Sequence, residues 1–138
     1  MSEASFWALI RNHLHLKMYR VENKVAIGMP DIHYVFGKGS GWIELKYMDE
    51  LPAKGKLKIG LRKSQAIWHR IYNNFGGKSW ILIRIGRIGI ILVDGKYSDE
   101  IAKMPSIKNL IEVSSWNYFG NMRNENWTEL RDVIQNQD

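Results

Sequence analysis

The sequence predicts an α/β domain built around a mixed central sheet, and three observations carry that prediction. Residues 79–85 and 88–93 are near-continuous apolar runs joined at Gly86-Arg87, the pattern of interior strands covered on both faces. Two segments, 3–16 and 62–75, repeat apolar residues at three- and four-residue steps, as amphipathic helices do. Between those segments lie shorter strand signals, so the order is helix, three strands, helix, two strands.

Length and composition fit this class. The 138 residues suit one domain, here 1–138, and 45% apolar content with six tryptophans suffices for a core. A core region of about 3–95 and a C-terminal extension of about 96–138 are expected. The chain contains no cysteine, which excludes disulfides and thiolate metal sites and suggests an intracellular, cytoplasmic location. No signal-peptide pattern opens the chain. The longest apolar run, residues 90–93, is too short to span a bilayer, so no membrane partner is expected. A net charge of +6 favours an anionic partner, though charge alone is weak support for nucleic acid.

The elements follow in order. The first helix turns Phe6, Ile10, His13 and Leu14 inward with Trp7 alongside, and Glu3 lies on the same face one turn earlier. Glu3 either adds an acid to a nearby site or complements the helix dipole. Residues 18–21 form a strand. Glu22 follows, either a second upstream acid or a partner for Arg20 or Lys24. Two strands come next, joined by a glycine-rich turn at 36–41.

Past Lys46, residues 48–60 read as a loop holding Pro52, Gly55 and Gly60. Lys54, Lys56, Lys58, Arg62 and Lys63 crowd into this loop and the start of the second helix. They would hold a DNA backbone if a phosphodiester site lies beside them; otherwise they are a solvated loop. The second helix has an expected apolar stripe of Ile67, Trp68, Ile71, Tyr72 and Phe75 and ends at Gly76-Gly77. Its cap is weak unless Ser64 serves, and Gln65 lies on the Trp68–Tyr72 side. Beyond the two apolar strands, 98–104 suggests a short helix stopped by Pro105. Trp116, Tyr118 and Phe119 form an aromatic cluster for the core, for base stacking or for a subunit interface. Asn126-Trp127-Thr128-Glu129 resembles a capping box that starts a final helix with Trp127, Leu130, Val133 and Ile134 inward.

The chemistry concentrates in Gly28-Met29-Pro30-Asp31 and Gly41-Trp42-Ile43-Glu44-Leu45-Lys46. Strand alternation puts Trp42, Glu44 and Lys46 on one face, with Glu44 and Lys46 about 7 Å apart. Asp31 opens the paired strand, and His33 alternates onto its face, to meet a phosphate or water or simply to pack. Two carboxylates suit Mg²⁺, a hard ion that keeps several waters. A lysine beside them can orient a metal-bound water or offset developing charge. The plainer reading of Glu44 and Lys46 is a charged pair on a wet strand.

These residues resemble the signature of the PD-(D/E)xK nucleases, and most closely the small stand-alone VRR-NUC proteins of phages, relatives of the archaeal Holliday junction resolvases. The resemblance covers roughly residues 3–95 and includes the helix from Leu61 to Phe75 with its glutamine, Gln65. It implies a restriction-endonuclease-like core and a metal-dependent DNA endonuclease. By resemblance, Asp31, Glu44 and the carbonyl of Leu45 would hold Mg²⁺, with Mn²⁺ as a substitute. Glu3 matches a helical glutamate that completes the acidic site. Arg20-Val21-Glu22-Asn23 resembles a stretch found before the Gly-x-Pro-Asp turn, which keeps Glu22 in contention. Lys46 would position the attacking water, and Gln65 would support it. The family likeness further implies branched DNA such as a four-way junction, a homodimer, a 5′-phosphate product and, for a phage protein, the host cytoplasm. Two other readings stay open: a nuclease for linear duplex or single strands, and a non-cleaving DNA-binding protein.

Overall fold

The computed structural model describes residues 2–22, 24–52 and 54–136. Helix α1 (Glu3–His13) is followed by strands β1 (Lys17–Arg20), β2 (Ile32–Phe36) and β3 (Gly39–Met48). Helix α2 (Lys63–Asn74) leads into β4 (Ser79–Ile85) and β5 (Gly89–Asp94). Two short helices, α3 (Ser98–Ala102) and α4 (Ile107–Val113), precede β6 (Ser114–Phe119) and α5 (Asn124–Gln135). Among the described residues the six strands form one sheet in sequence order. The β3–β4 pair is parallel and every other pair antiparallel. The parallel pair needs a long crossover, and the segment carrying α2 supplies it. The α-β-β-β-α-β-β order, the mixed sheet flanked by helices and the C-terminal helix are therefore as expected.

Period-two alternation splits the core into two layers. On one face Ile43, Leu45, Leu82 and Leu92 meet Phe6 and Ile10 of α1 and Trp127, Leu130 and Ile134 of α5. On the other, Met48, Ile81, Ile83, Ile91 and Val93 meet Leu57, Ile59, Leu61, Ala66 and Leu110. Strands β4 and β5 feed both layers, which is why their sequences are apolar throughout.

Several boundaries and faces differ from expectation. Strand β3 starts at Gly39, because Gly39–Gly41 continue the ladder with β2 and leave only Gly37-Lys38 as the turn. His13, expected inward, is exposed and stacks on Trp127 with ring centroids 5.5 Å apart. The α2 stripe is the largest correction. Ile71 is 50% exposed and Phe75 89%, while Gln65, Ala66 and His69 are the buried residues of the helix. Ile67, Trp68 and Tyr72 of the expected stripe are half-buried, and the inward face is rotated toward Gln65 and His69 because the helix also covers Ser79.

The basic loop is also more ordered in its pattern than expected. Leu57, Ile59 and Leu61 are buried, Lys56 and Lys58 on either side of Leu57 are exposed, and Leu57 N–H donates to the carbonyl of Pro105. Strand β6 was not anticipated. Its burial alternates, Trp116 and Tyr118 inward and Asn117 and Phe119 outward, so the aromatic cluster is an edge strand seen end to end. Helix α5 starts at Asn124, two residues before the expected cap. Asn126 accepts from the N–H of Arg123 at 2.9 Å, so it sits in the first turn and reaches back.

Candidate metal centre

The site forms where the Gly28–Asp31 turn meets the middle of β3. Gly28 has φ +84°, and a Cβ there would lie 2.2 Å from the carbonyl oxygen of Ser64. Glycine alone satisfies both the positive φ and the close approach to the first turn of α2. The carbonyl of Asp31 then accepts from Val21 N–H at 2.8 Å, which fixes its backbone. Ile32 pairs with Ile43, so Asp31 arrives beside Glu44.

Asp31 Oδ2 accepts from Leu45 N–H at 3.0 Å, and Oδ1 accepts from Lys24 Nζ at 2.9 Å. Glu44 is only 2% exposed, and Lys46 Nζ lies 3.8 Å from its Oε2. Glu44 Oε1 is buried without a hydrogen-bond partner. Burial pushes the Glu44 carboxyl up to about 9, helped by its hydrogen bond and charge interaction with Asp31. Burial would raise Asp31 as well, but hydrogen bonds from Glu44, Lys24 and Leu45 N–H outweigh it and hold Asp31 below its ordinary value. The two acids thus divide roles, Asp31 ionised and Glu44 carrying the proton between them.

Glu3 is half-buried, and its carboxyl is raised first by burial and then by the charge of Asp31. Lys46, Arg20 and Lys24 also act on it. It therefore lies within electrostatic reach of the site. It does not close on the other two acids: among the described residues no three His, Cys, Asp or Glu side chains form a cluster that could hold a metal. The reason is its element, since α1 packs on the opposite layer through Phe6 and Ile10. Glu22 is exposed.

Gln65 is buried in the first turn of α2. Its Oε1 accepts from Arg62 N–H at 2.9 Å, so the amide caps its own helix and keeps its NH₂ end for donation. His33 is half-buried on β2 and packs against Trp42, with centroids 4.8 Å apart. That contact starts an aromatic row: Trp42 meets Trp68 edge-on at 6.0 Å, and Trp68 stacks on Tyr72 at 4.7 Å. Lys54, Lys56, Lys58, Arg62 and Lys63 are all exposed. Lys56 and Lys58 line a shallow pocket with Met48, two residues beyond Lys46.

Two contributors were missed in the sequence. Lys24, the cation on Asp31, sits in an irregular loop with no periodic signal. His69 is fully buried one turn after Gln65, and that i, i+4 spacing was the available clue.

The donor set fits a small hard cation. Two adjacent carboxylates, one with a buried unpartnered oxygen, suit an octahedral ion that retains its waters. The buried setting strengthens any charge interaction made there.

No family model matches the chain, and no curated protein matches it. Among solved structures, that of Hjc, a Holliday junction resolvase from Archaeoglobus fulgidus, aligns with a TM-score of 0.46 and 16% identity. The alignment covers 68% of this chain and 74% of that one. Among the described residues no helix is long and apolar enough to cross a membrane.

Proposed function

We propose that this chain is a metal-dependent DNA endonuclease acting on branched DNA. The observation that carries the reading is the convergence of Asp31, Glu44 and Lys46, with Glu44 buried and one of its oxygens unpartnered. Asp31 and Glu44 would hold Mg²⁺ or Mn²⁺, with the Leu45 carbonyl as a further ligand by family resemblance. When bound, the ion polarises a phosphodiester and lowers the pKa of a coordinated water.

The chain's own residues do the rest. Leu45 N–H fixes the rotamer of Asp31. Lys24 occupies Asp31 Oδ1 and must give way for that oxygen to coordinate. Lys46, tied to Glu44 at one edge of the site, holds the attacking water by hydrogen bonding and offsets charge developing on the phosphate. Gln65 offers its NH₂ group without adding charge. Glu3 contributes negative potential from the next helix. Lys54, Lys56, Lys58, Arg62 and Lys63 supply cations for the backbone of an approaching strand. Cleavage leaves a 5′-phosphate. A four-way junction, with two equivalent cuts, calls for a homodimer.

End-labelled four-way junction and linear duplex of the same sequence, incubated with Mg²⁺ or EDTA, test the reading beside Glu44→Ala. Metal-dependent cutting of the junction, absent in the variant, is the expected result. Equal cutting of both substrates keeps the nuclease and removes the branched preference. Binding without cutting in Mg²⁺ and Mn²⁺ overturns the enzyme.

A further inference from the structure

Among the described residues, two buried side-chain atoms lack a hydrogen-bond partner: Glu44 Oε1 and His69 Nε2. They lie in the same layer. Trp42 pairs with Ser79, so Trp42, Glu44 and Lys46 share a face with Ser79, Ile81 and Ile83. Helix α2 covers that face with Gln65, Ala66 and His69. His69 Nδ1 is 2.7 Å from Ser79 Oγ, which anchors the imidazole over the start of β4. The strand register and the Ser79 bond thus set the imidazole over the face that carries Glu44 and Lys46.

The surroundings assign its tautomer. Asn73 Nδ2 donates to Ser79 Oγ at 2.7 Å and to the carbonyl of His69 at 2.7 Å. The Ser79 hydroxyl has received one hydrogen bond and has its own hydrogen to place, and Nδ1 is the acceptor within reach. The ring proton then sits on Nε2. The ring is fully buried, where a charged imidazolium is disfavoured, so it serves as a neutral donor. A buried donor without an acceptor and a buried carboxyl oxygen without a hydrogen-bond partner, in one layer, are complementary.

We propose that His69 is a positioning residue for Glu44: the Asn73–Ser79 clamp presents Nε2–H through one water to the otherwise unpartnered Glu44 Oε1, and so orients Glu44 toward a divalent cation. The inference rests on the metal-site reading above. Carboxylate ligands are ordinarily held this way by a second hydrogen-bonding partner, whose loss weakens metal binding about 10- to 100-fold.

The test measures Mg²⁺ affinity by titration calorimetry on the intact protein, with circular dichroism and melting in EDTA to establish folding. His69→Asn keeps an amide at the Nδ1 position and loses Nε2; His69→Gln restores a donor at the Nε2 position. The expected result is Mg²⁺ binding about 10- to 100-fold weaker in His69→Asn and largely recovered in His69→Gln. Folded His69→Asn binding Mg²⁺ as tightly as the parent overturns the role while leaving the metal site standing. A parent that binds neither Mg²⁺ nor Mn²⁺ removes the metal site and this role together. Nitrogen-15 spectra of the parent give a readout free of any substitution. His69 should show the Nε2–H tautomer in EDTA and shift on adding Mg²⁺; an Nδ1–H tautomer, or a resonance indifferent to Mg²⁺, overturns the proposal.

Discussion

Glu44 and Asp31 show how one residue's surroundings set its chemistry. Burial puts the Glu44 pKa near 9, so without a divalent cation it is protonated at neutral pH. Metal binding needs the carboxylate, so it releases a proton and strengthens with pH. Between pH 6 and 8 the Mg²⁺ affinity should rise by up to about tenfold per pH unit, and Glu44→Gln should abolish the binding. Calorimetry in buffers of different ionisation enthalpy counts the released proton; a pH-independent affinity would contradict protonated Glu44. Stability in EDTA follows the same sign. Glu44, raised from 4.5, contributes fully below pH 4.5 and loses its contribution as pH climbs toward 9. His69, depressed from 6.5 to about 4, contributes above 6.5 and loses its contribution as pH falls toward 4. Above pH 6.5 only the Glu44 effect remains of these two, so Tm in EDTA should fall from pH 6.5 to 8.5, and Mg²⁺ should reverse the fall. Asp31→Asn and Lys46→Ala should each cut at least about 100-fold more slowly with DNA affinity largely kept, since both act on the transition state. Parental cutting by either variant would remove that residue from the chemistry.

The stretch from 54 to 63 shows that an element can serve two layers at once. Its apolar residues Leu57, Ile59 and Leu61 are core, and the cations among and beside them face solvent. Removing the charges and removing the anchors should therefore separate cleanly. Lys54→Ala, Lys56→Ala and Lys58→Ala combined should flatten the salt dependence of DNA binding by up to about 0.9 in slope per lost phosphate contact, with Tm nearly unchanged. Leu57→Ala should instead cost about 2–5 kcal/mol of stability, read by denaturant unfolding, and leave the salt slope alone. An unchanged slope in the triple variant would place the segment away from DNA. Helices α2 and α5 share a start device: Gln65 and Asn126, each in the first turn, accept from the N–H of an arginine three residues earlier. This explains how both helices begin without a serine, threonine or aspartate cap, and why the sequence boundaries drifted by one or two residues.

At the scale of the whole molecule, the sheet lies between α1 and α5 on one side and α2 on the other, and the candidate centre sits on the α2 side. Ile71 and Phe75 lie exposed on α2, and Val25 and Ile27 are exposed in the loop before Gly28. Paired cutting of a junction requires two such centres in one particle. Light scattering coupled to gel filtration should give a dimer, alone or on junction DNA; monomer under both conditions would count against paired cutting and leave single-site cleavage.

The sequence by itself determined the class of fold and put forward the residues of the candidate centre. Apolar runs, helical periods and the Pro-Asp and Glu-x-Lys spacing are local features, and β alternation alone puts Glu44 and Lys46 on one face. Tertiary structure decided what those features face. The outward turn of Ile71 and Phe75, the pairing of β6, the charge interaction of Glu3 with Asp31, and the Lys24–Asp31 contact all depend on which surface each segment meets. So does the burial of Glu44, from which its proton, its pH dependence and its unpartnered oxygen follow. Periodicity records which side of a segment is apolar, whereas the cost of burying a charge depends on neighbours distant in the chain.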